Sequence, residues 1–159
     1  MTKFSSLEFN KENMLTQAII LLNSLIFLLI AAIHFYWAFG GKWGAKYAIP
    51  SKENSEDVLF RPRMIDTIVV AFGFSLIVLV MLNVGNHVHI DFISNFQKSV
   101  LWFLAAVFFI RAIGEFRYVG LFKKVKNTLF AQYDTKYYTP LCLWLAISVA
   151  YLAYFSSFR

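Results

Sequence analysis

Residues 14–39 read MLTQAIILLNSLIFLLIAAIHFYWAF, a run that contains no lysine, arginine, aspartate or glutamate. A helix rises about 1.5 Å per residue, so roughly 20 apolar residues cross the hydrocarbon core of a bilayer. The run is therefore long enough to span a membrane. Three further, mainly apolar blocks follow at 65–84, 99–118 and 138–156. The pattern predicts an all-α protein, a four-helix transmembrane bundle in which residues 1–159 form a single domain.

The composition agrees with a membrane protein. Of the 159 residues, 59% are hydrophobic and 15% are charged, whereas about 25% of the residues of an ordinary soluble domain are charged. The net charge of +6 is carried mostly by short segments between the apolar blocks, where it favours contact with anionic headgroups. The chain has no long basic tail. Membrane lipids are thus the expected partners, and nucleic acid is not.

Lysine and arginine residues are divided unequally between the two ends of the predicted bundle. Ten lie between spans one and two or between spans three and four, and four lie at the opposite end. Basic residues are concentrated on the cytoplasmic side of membrane proteins. The loops at 40–64 and 119–137 are therefore predicted to be cytoplasmic, and both termini to lie outside the cytoplasm. The first apolar run is longer than the roughly 7–15-residue core of a signal peptide, so we interpret it as a retained span.

Arg111 is the clearest charged residue inside an apolar block, because ten apolar residues precede it. A charged side chain at the centre of a membrane helix costs about 2.5–3.5 kcal/mol, and it is retained mainly where it faces the bundle interior and finds a partner. Glu115 follows one helical turn later, and Tyr118 continues the same predicted face. Glu115 is one candidate partner of Arg111. Asp66, near the cytoplasmic start of the second span, is the other.

Further polar residues are expected at the same level. His34 lies near the cytoplasmic end of the first span, and Trp37 is about one turn away. Asp134 precedes the fourth span, so it approaches from the second cytoplasmic loop. We define the predicted polar cluster by these residues of three spans and one loop: His34, Trp37, Asp66, Arg111, Glu115, Tyr118, Asp134 and Tyr138.

Two interpretations of the predicted polar cluster are open. In the first, it is a satisfied hydrogen-bonded network that fixes how the helices pack. In the second, it is a cytoplasm-facing pocket for a lipid headgroup or a small anionic or amphiphilic ligand, in which Arg111 binds the anion. If the pocket carries out chemistry, His34 and Glu115 are the candidate catalytic acid and base.

Metal and cofactor sites are not predicted. The single cysteine, Cys142, excludes a cysteine cluster. His87 and His89 are two residues apart, a spacing that does not place them on one helix face. A haem between His34 and His87 is disfavoured because they belong to opposite ends of the predicted bundle.

Two passages resemble a known family. The first is HFYWAFGGKWG at 34–44, and the second is RAIGEFRYVGLFK at 111–123, continued by TLFA, DT and YTPL up to residue 141. They resemble the small bacterial membrane proteins of domain-of-unknown-function family 3995, over most of the chain. The resemblance implies a four-span protein of the bacterial cytoplasmic (inner) membrane. It implies no activity.

The leading functional hypothesis is a non-catalytic binding or accessory protein, because cationic groups outnumber plausible catalytic machinery. One alternative is a small membrane enzyme that acts on an amphiphile, with protons exchanged between His34 and Glu115. Another is a protomer of an oligomeric channel or carrier, since Ala146, Ala150 and Ala153 give the fourth span a small-residue stripe suited to close packing, in a homo-oligomer for example.

Overall fold

The protein is all-α. The computed structural model describes residues 2–52 and 58–155, with side chains from residue 13 onward. The helices are α1 (Thr2–Ala38), α2 (Ala45–Ala48), α3 (Met64–Val84), α4 (Asp91–Ile113), α5 (Leu129–Tyr133) and α6 (Thr139–Phe155), and a π-helical turn (Asp134–Tyr138) joins α5 to α6. Within the described ranges, four stretches are long and apolar enough to cross a membrane: Asn13–Ala38, Met64–Val84, Asp91–Ile113 and Leu129–Phe155. The predicted fold class and multi-pass character are confirmed.

The four long helices form two antiparallel pairs. Helix α1 packs along α3, and α4 packs along α6. Phe27 of α1 is fully buried between the pairs, with its ring centroid 6.0 Å from that of Phe74 on α3 and 5.6 Å from that of Phe108 on α4. Many outward side chains are large, apolar and exposed, as expected of helices covered by lipid. Because lipid tails are as apolar as these side chains, close packing and interhelical hydrogen bonds must hold the bundle together.

Hydrogen-bonded side chains connect elements of the bundle at several levels. At mid-depth, Asn23 Nδ2 donates to Ser148 Oγ at 2.9 Å, and Trp144 Nε1 donates to Asn23 Oδ1 at 3.1 Å. Near the loop between α3 and α4, Asn83 Nδ2 donates to Gln97 Oε1 at 2.8 Å. Following the predicted orientation, we call the end with the Asn83 group the outer end and the opposite end the cytoplasmic end.

Helix α4 ends at Ile113, before the predicted boundary at residue 118. Gly114 adopts a φ of +85°, and a Cβ at this position would overlap the carbonyl oxygen of Val119. Only glycine adopts such a backbone conformation readily, so the chain leaves the helix here. Glu115 and Tyr118 therefore do not continue the helical face of Arg111, in contrast to the expectation.

The fourth span begins at Leu129 rather than at residue 138, because α5 and the π-helical turn extend it. Thr128 caps the new start through its side-chain oxygen. The backbone N–H of Thr139 donates to the carbonyl of Asp134, the wider spacing of a π-helix. Pro140 still occupies the first turn of α6, where a missing N–H is tolerated. The predicted end at residue 156 lies outside the described residues.

Candidate functional site

Asp134 is the centre of a buried ionic cluster. Its side chain is fully buried in the π-helical turn. Arg111 Nη2, from the last turn of α4, lies 2.8 Å from Oδ1, and Lys123 Nζ lies 2.9 Å from Oδ2. The Lys123 side chain is 3% exposed, so the lysine and the carboxylate are both removed from water. We call Arg111, Lys123 and Asp134 the Asp134 cluster.

Neutral donors complete the surroundings of Asp134 Oδ2. The Gly120 N–H donates to it at 2.9 Å, and Thr139 Oγ1 donates to it at 3.2 Å. Lys123 Nζ also donates to the Gly120 carbonyl at 3.1 Å. A buried ion pair is tolerated where further hydrogen bonds satisfy its remaining lone pairs and protons. The carboxylate meets that condition, and it holds the segment 114–128 against the ends of α4 and α6.

Gly120 makes the close approach to the carboxylate possible. It has a φ of +86°, and a Cβ there would overlap the carbonyl oxygen of Ile113 and the backbone of Gly114. The Leu121 N–H then donates to the Ala112 carbonyl at 2.9 Å. The chain thus doubles back on the end of α4, which carries the Gly120 N–H and the Lys123 ammonium to the π-helical turn.

Cations outnumber anions in the Asp134 cluster. Two basic side chains against one carboxylate leave a net charge of +1, and no other carboxylate of the described residues forms an ion pair with either. Arg111 Nη1 is buried and has no hydrogen-bond partner among the described residues, although the side chain as a whole is 32% exposed. An unpaired buried donor costs about 1–3 kcal/mol, and more when it is charged. Nη1 is therefore a group at which an acceptor would be stabilising.

His34 lies on the core face of α1, against α3 rather than within the Asp134 cluster. Its Nδ1 is 2.7 Å from the carbonyl oxygen of Ile30. A carbonyl only accepts, so in the neutral ring the proton is assigned to Nδ1 and Nε2 is an acceptor. The ring packs edge-on to Trp37 at 5.1 Å and lies 5.9 Å from Phe74. None of the described residues hydrogen-bonds to Nε2.

Helix register places His34 and Arg111 in the same cytoplasmic part of the bundle. The touching rings of Phe27 and Phe108 mark one level. His34 lies two turns beyond Phe27, and Arg111 lies one turn beyond Phe108, so their backbones differ in depth by about 6 Å at 1.5 Å per residue. The two backbones thus lie at similar but not equal levels, and no hydrogen bond joins the two side chains in the described part of the chain.

Asp66 and Glu115 are occupied elsewhere. Both side chains are exposed. Asp66 accepts a backbone N–H in the capping box at the start of α3, and Glu115 accepts the backbone N–H groups of Arg117 and Tyr118. In place of the expected pairing with Glu115 or Asp66, Arg111 pairs with Asp134. The local backbone donors and the early end of α4 explain the difference.

The predicted aromatic residues lie around the site without completing it. Tyr138, half-buried, closes the π-helical turn with its ring 6.2 Å from that of Phe130. Tyr118 lies in the segment after α4, beyond the Asp134 cluster's direct contacts. Trp37 Nε1 donates to the Trp43 carbonyl at 2.8 Å, which folds the glycine-rich segment back over the end of α1.

Sequence reasoning missed Lys123, Gly120 and Thr139. In the sequence, Lys123 is one of the loop charges from which the membrane orientation is predicted. Nothing in the local pattern distinguishes it from its exposed neighbour Lys124. Its burial depends on the turn at Gly114 and on a carboxylate that is distant in the chain. The two glycines of this segment were the available signal.

Two other features are separate from the site. An apolar groove of about 330 Å³ on α4 and α6 is lined by Trp102, Ala105, Ala106, Phe109, Ala146, Ile147 and Ala150. Two residues correspond to a rotation of about 200° around the helix axis, so Arg111 projects from the side of α4 nearly opposite to Phe109. At the outer end, His89 and Asp91 form an exposed pair at 3.1 Å, and no metal-binding group of three His, Cys, Asp or Glu residues is found in the described part of the chain.

Comparison with known proteins identifies a family whose function is unknown. A family model described as "Protein of unknown function (DUF3995)" matches residues 27–149, a range that includes His34 and the whole Asp134 cluster. No curated protein and no solved structure matches the chain.

Proposed function

The chain belongs to the DUF3995 family, and we propose that it is a non-catalytic binding or accessory protein that holds a phosphate group at Arg111. The phosphate belongs either to a lipid headgroup or to a small soluble anion, since the recognition chemistry is the same. One observation carries the proposal. It is the buried, unpartnered Nη1 of Arg111 in a cluster of net positive charge.

One terminal nitrogen of the guanidinium has no hydrogen-bond partner among the described residues. Nη2 is engaged by Asp134, and Nη1 is not engaged. Lys123 already supplies one positive charge to the buried carboxylate, so the charge of Arg111 remains uncompensated. A guanidinium presents its N–H groups as a planar fork that matches phosphate oxygens. A phosphate oxygen at Nη1 would satisfy the donor and balance the charge together.

The predicted orientation places this site where anionic groups are available. The cytoplasmic leaflet carries anionic lipids, and basic residues near its surface are attracted to them. Lys124 and Lys126 lie in the same segment with exposed side chains, so they add to the positive potential around Arg111.

The test compares two arginines in the protein purified in dodecyl maltoside, a detergent that contains no phosphate. Thermal unfolding is measured with phosphatidylglycerol added to the micelles, or with glycerol 3-phosphate in the buffer. Arg111→Lys keeps a charge beside Asp134 but removes the second donor nitrogen. Arg117→Lys, an exposed arginine of the same segment, is the matched control.

Wild type and Arg117→Lys should be stabilised by at least one phosphate compound, by about 2.7 kcal/mol at a ligand concentration of 100 times Kd, whereas Arg111→Lys should not. Stabilisation by phosphatidylglycerol alone indicates a lipid, and stabilisation by glycerol 3-phosphate as well indicates that the headgroup is sufficient. Equal stabilisation of Arg111→Lys and wild type, or none in any protein, refutes the proposal.

The enzyme alternative has less support. His34 Nε2 has no hydrogen-bond partner among the described residues, but Glu115 is exposed and accepts the backbone N–H groups of Arg117 and Tyr118. An acid and a base that act on one substrate must both reach it, and in the described part of the chain no hydrogen bond links these two side chains. The channel alternative lacks a continuous polar path among the described residues, whose buried polar groups lie at separate levels.

A further inference from the structure

We propose that the phosphate-bearing ligand is a phospholipid of the cytoplasmic leaflet, which enters sideways between α3 and α4 and lays an acyl chain in the cleft between them. This inference rests on the proposed phosphate site and specifies its occupant. It is carried by a change in packing along two helix faces, from closed at the outer end to open at the cytoplasmic end.

The first of these faces lies on α3. Val80, Ile77, Gly73 and Val70 follow one another at spacings of three and four residues, so they share a face. Val80 is 9% exposed and belongs to the core, with Ile77 packed against it. Further toward the cytoplasmic end, a Cβ at Gly73 would meet no atom within 4 Å, and Val70 is 40% exposed. The same face is thus packed in its outer half and open in its cytoplasmic half.

Helix α4 shows the same change. Leu104, Val107 and Arg111 share a face by the same spacing. Leu104 is 7% exposed, whereas Val107 is 42% exposed and the Arg111 side chain is 32% exposed. The open parts of both faces lie toward the cytoplasmic end of the bundle.

The outer ends of the two helices are tied together. Asn83, near the end of α3, donates to Ser94 Oγ at 3.1 Å and to Gln97 Oε1 at 2.8 Å on α4. The corresponding cytoplasmic ends are not adjacent in the chain, because α3 begins after the first cytoplasmic loop and α4 ends before the second. The two helices therefore form a cleft that is closed at the outer end.

The charged and apolar groups along the cleft follow the order of the parts of a phospholipid. The rings of Phe74, Phe27 and Phe108 pack in series and connect α3 to α4 through α1 at one level. Val70 on α3 and Arg111 on α4 lie about 6 and 4.5 Å from that level, toward the cytoplasmic end, at 1.5 Å per residue. Arg111 is therefore at the mouth of the cleft, and apolar side chains line the part nearer the membrane midplane.

Charge and depth together identify the occupant. A soluble anion would need only Arg111, and it would leave the apolar part of the cleft unfilled. Within the hydrocarbon core the molecules that can fill such a space are acyl chains, and an unfilled apolar gap loses dispersion contacts. A phospholipid supplies the phosphate for Nη1 and the chain for the space beside Gly73 in one molecule.

The test fills the cleft without touching the arginine. Gly73→Leu places a branched side chain in the space beside the helix, and Gly73→Ala places only a methyl group there. Phe72→Leu is the matched control, since it places a leucine within about 1.5 Å of the depth of Gly73, on a face about 100° away around the helix, and Phe72 is 59% exposed. Retention of phosphatidylglycerol is measured by native mass spectrometry, and binding of glycerol 3-phosphate by calorimetry. Circular dichroism checks that each variant is folded.

We expect Gly73→Leu to weaken phosphatidylglycerol binding at least tenfold, whereas Gly73→Ala and Phe72→Leu stay within threefold of wild type. Any affinity for glycerol 3-phosphate should be the same in all four proteins. Normal phosphatidylglycerol binding by Gly73→Leu, with binding still lost in Arg111→Lys, overturns the cleft and leaves the phosphate site standing. Normal binding by Arg111→Lys overturns the phosphate site itself.

Discussion

Replacing Asp134 by Asn removes the only negative charge of the Asp134 cluster and almost none of its volume. Lys123 then remains as a cation with 3% of its side chain exposed and no carboxylate beside it. The amide also turns one carboxylate oxygen into an NH₂ donor, which conflicts with the donors of Gly120 and Thr139 that surround Oδ2.

Breaking a buried ion pair by removing one partner typically costs about 3–5 kcal/mol, because the other charge is left uncompensated. A typical domain has only about 5–15 kcal/mol of total stability. Asp134→Asn should therefore lose a large fraction of the free energy of unfolding. The double variant Asp134→Asn with Lys123→Met should recover part of the loss, since it removes the stranded cation as well.

The free energy of unfolding can be measured by titrating sodium dodecyl sulfate into mixed micelles and following helix content by circular dichroism. Asp66→Asn is the control, because Asp66 is an exposed carboxylate whose capping hydrogen bond the Asn oxygen can still accept, so that only the charge near the helix N-terminus is lost, at about 0.3–1 kcal/mol. A change of less than about 1 kcal/mol in Asp134→Asn, a loss well below the range for buried pairs, would show that Asp134 is not the buried centre of the cluster. The same conclusion follows if the double variant is no more stable than Asp134→Asn.

Gly114→Ala should destabilise the protein by more than about 1 kcal/mol in the same titration, because positive φ and backbone overlap exclude a Cβ; an unchanged midpoint contradicts this. Asn23→Leu should lower the free energy of unfolding by about 0.6–1.7 kcal/mol, the range of hydrogen bonds between membrane helices, and an unchanged free energy would show that the mid-depth hydrogen bonds do not stabilise the bundle. Cysteines at Lys124 and Lys98, in a cysteine-free background, should react with an impermeant thiol reagent from the cytoplasmic and the outer side respectively; the opposite pattern refutes the orientation. Arg111→Met should stay within about 1 kcal/mol of wild type, since it leaves a neutral buried pair, yet lose all phosphate-dependent stabilisation, and strong unfolding would assign the residue a structural role.

The sequence predicts the spans well because each is set by local composition. The run at 14–39 and the structure's span Asn13–Ala38 nearly coincide. The predicted ends of the spans are wrong where a single backbone conformation determines them. Gly114 ends α4 early through a positive φ, and the π-helical turn extends the fourth span to Leu129, neither of which hydropathy detects.

The site is predicted in part. The cost of charge in a membrane identifies Arg111 correctly as a residue that needs a carboxylate, but it does not say which one. Local rules favour Glu115, one turn away, whereas the structure provides Asp134 from a different helix. The burial of Lys123 has the same origin, because the fold of the segment after α4, rather than any local pattern, brings the lysine to the carboxylate.

The two cations of the Asp134 cluster differ in what the fold requires of them. Lys123 is buried, bonds both Asp134 and the Gly120 carbonyl, and neutralises the carboxylate at the point where the segment 114–128 is anchored. Arg111 is more exposed, adds a second positive charge to a carboxylate that is already paired, and leaves Nη1 unsatisfied. A cation that only stabilised the bundle would not be left with a buried, unpaired donor, since an apolar side chain of similar size would avoid that penalty. The proposed ligand would neutralise this surplus charge, and for this reason Arg111 rather than Lys123 is the residue on which the binding experiments depend.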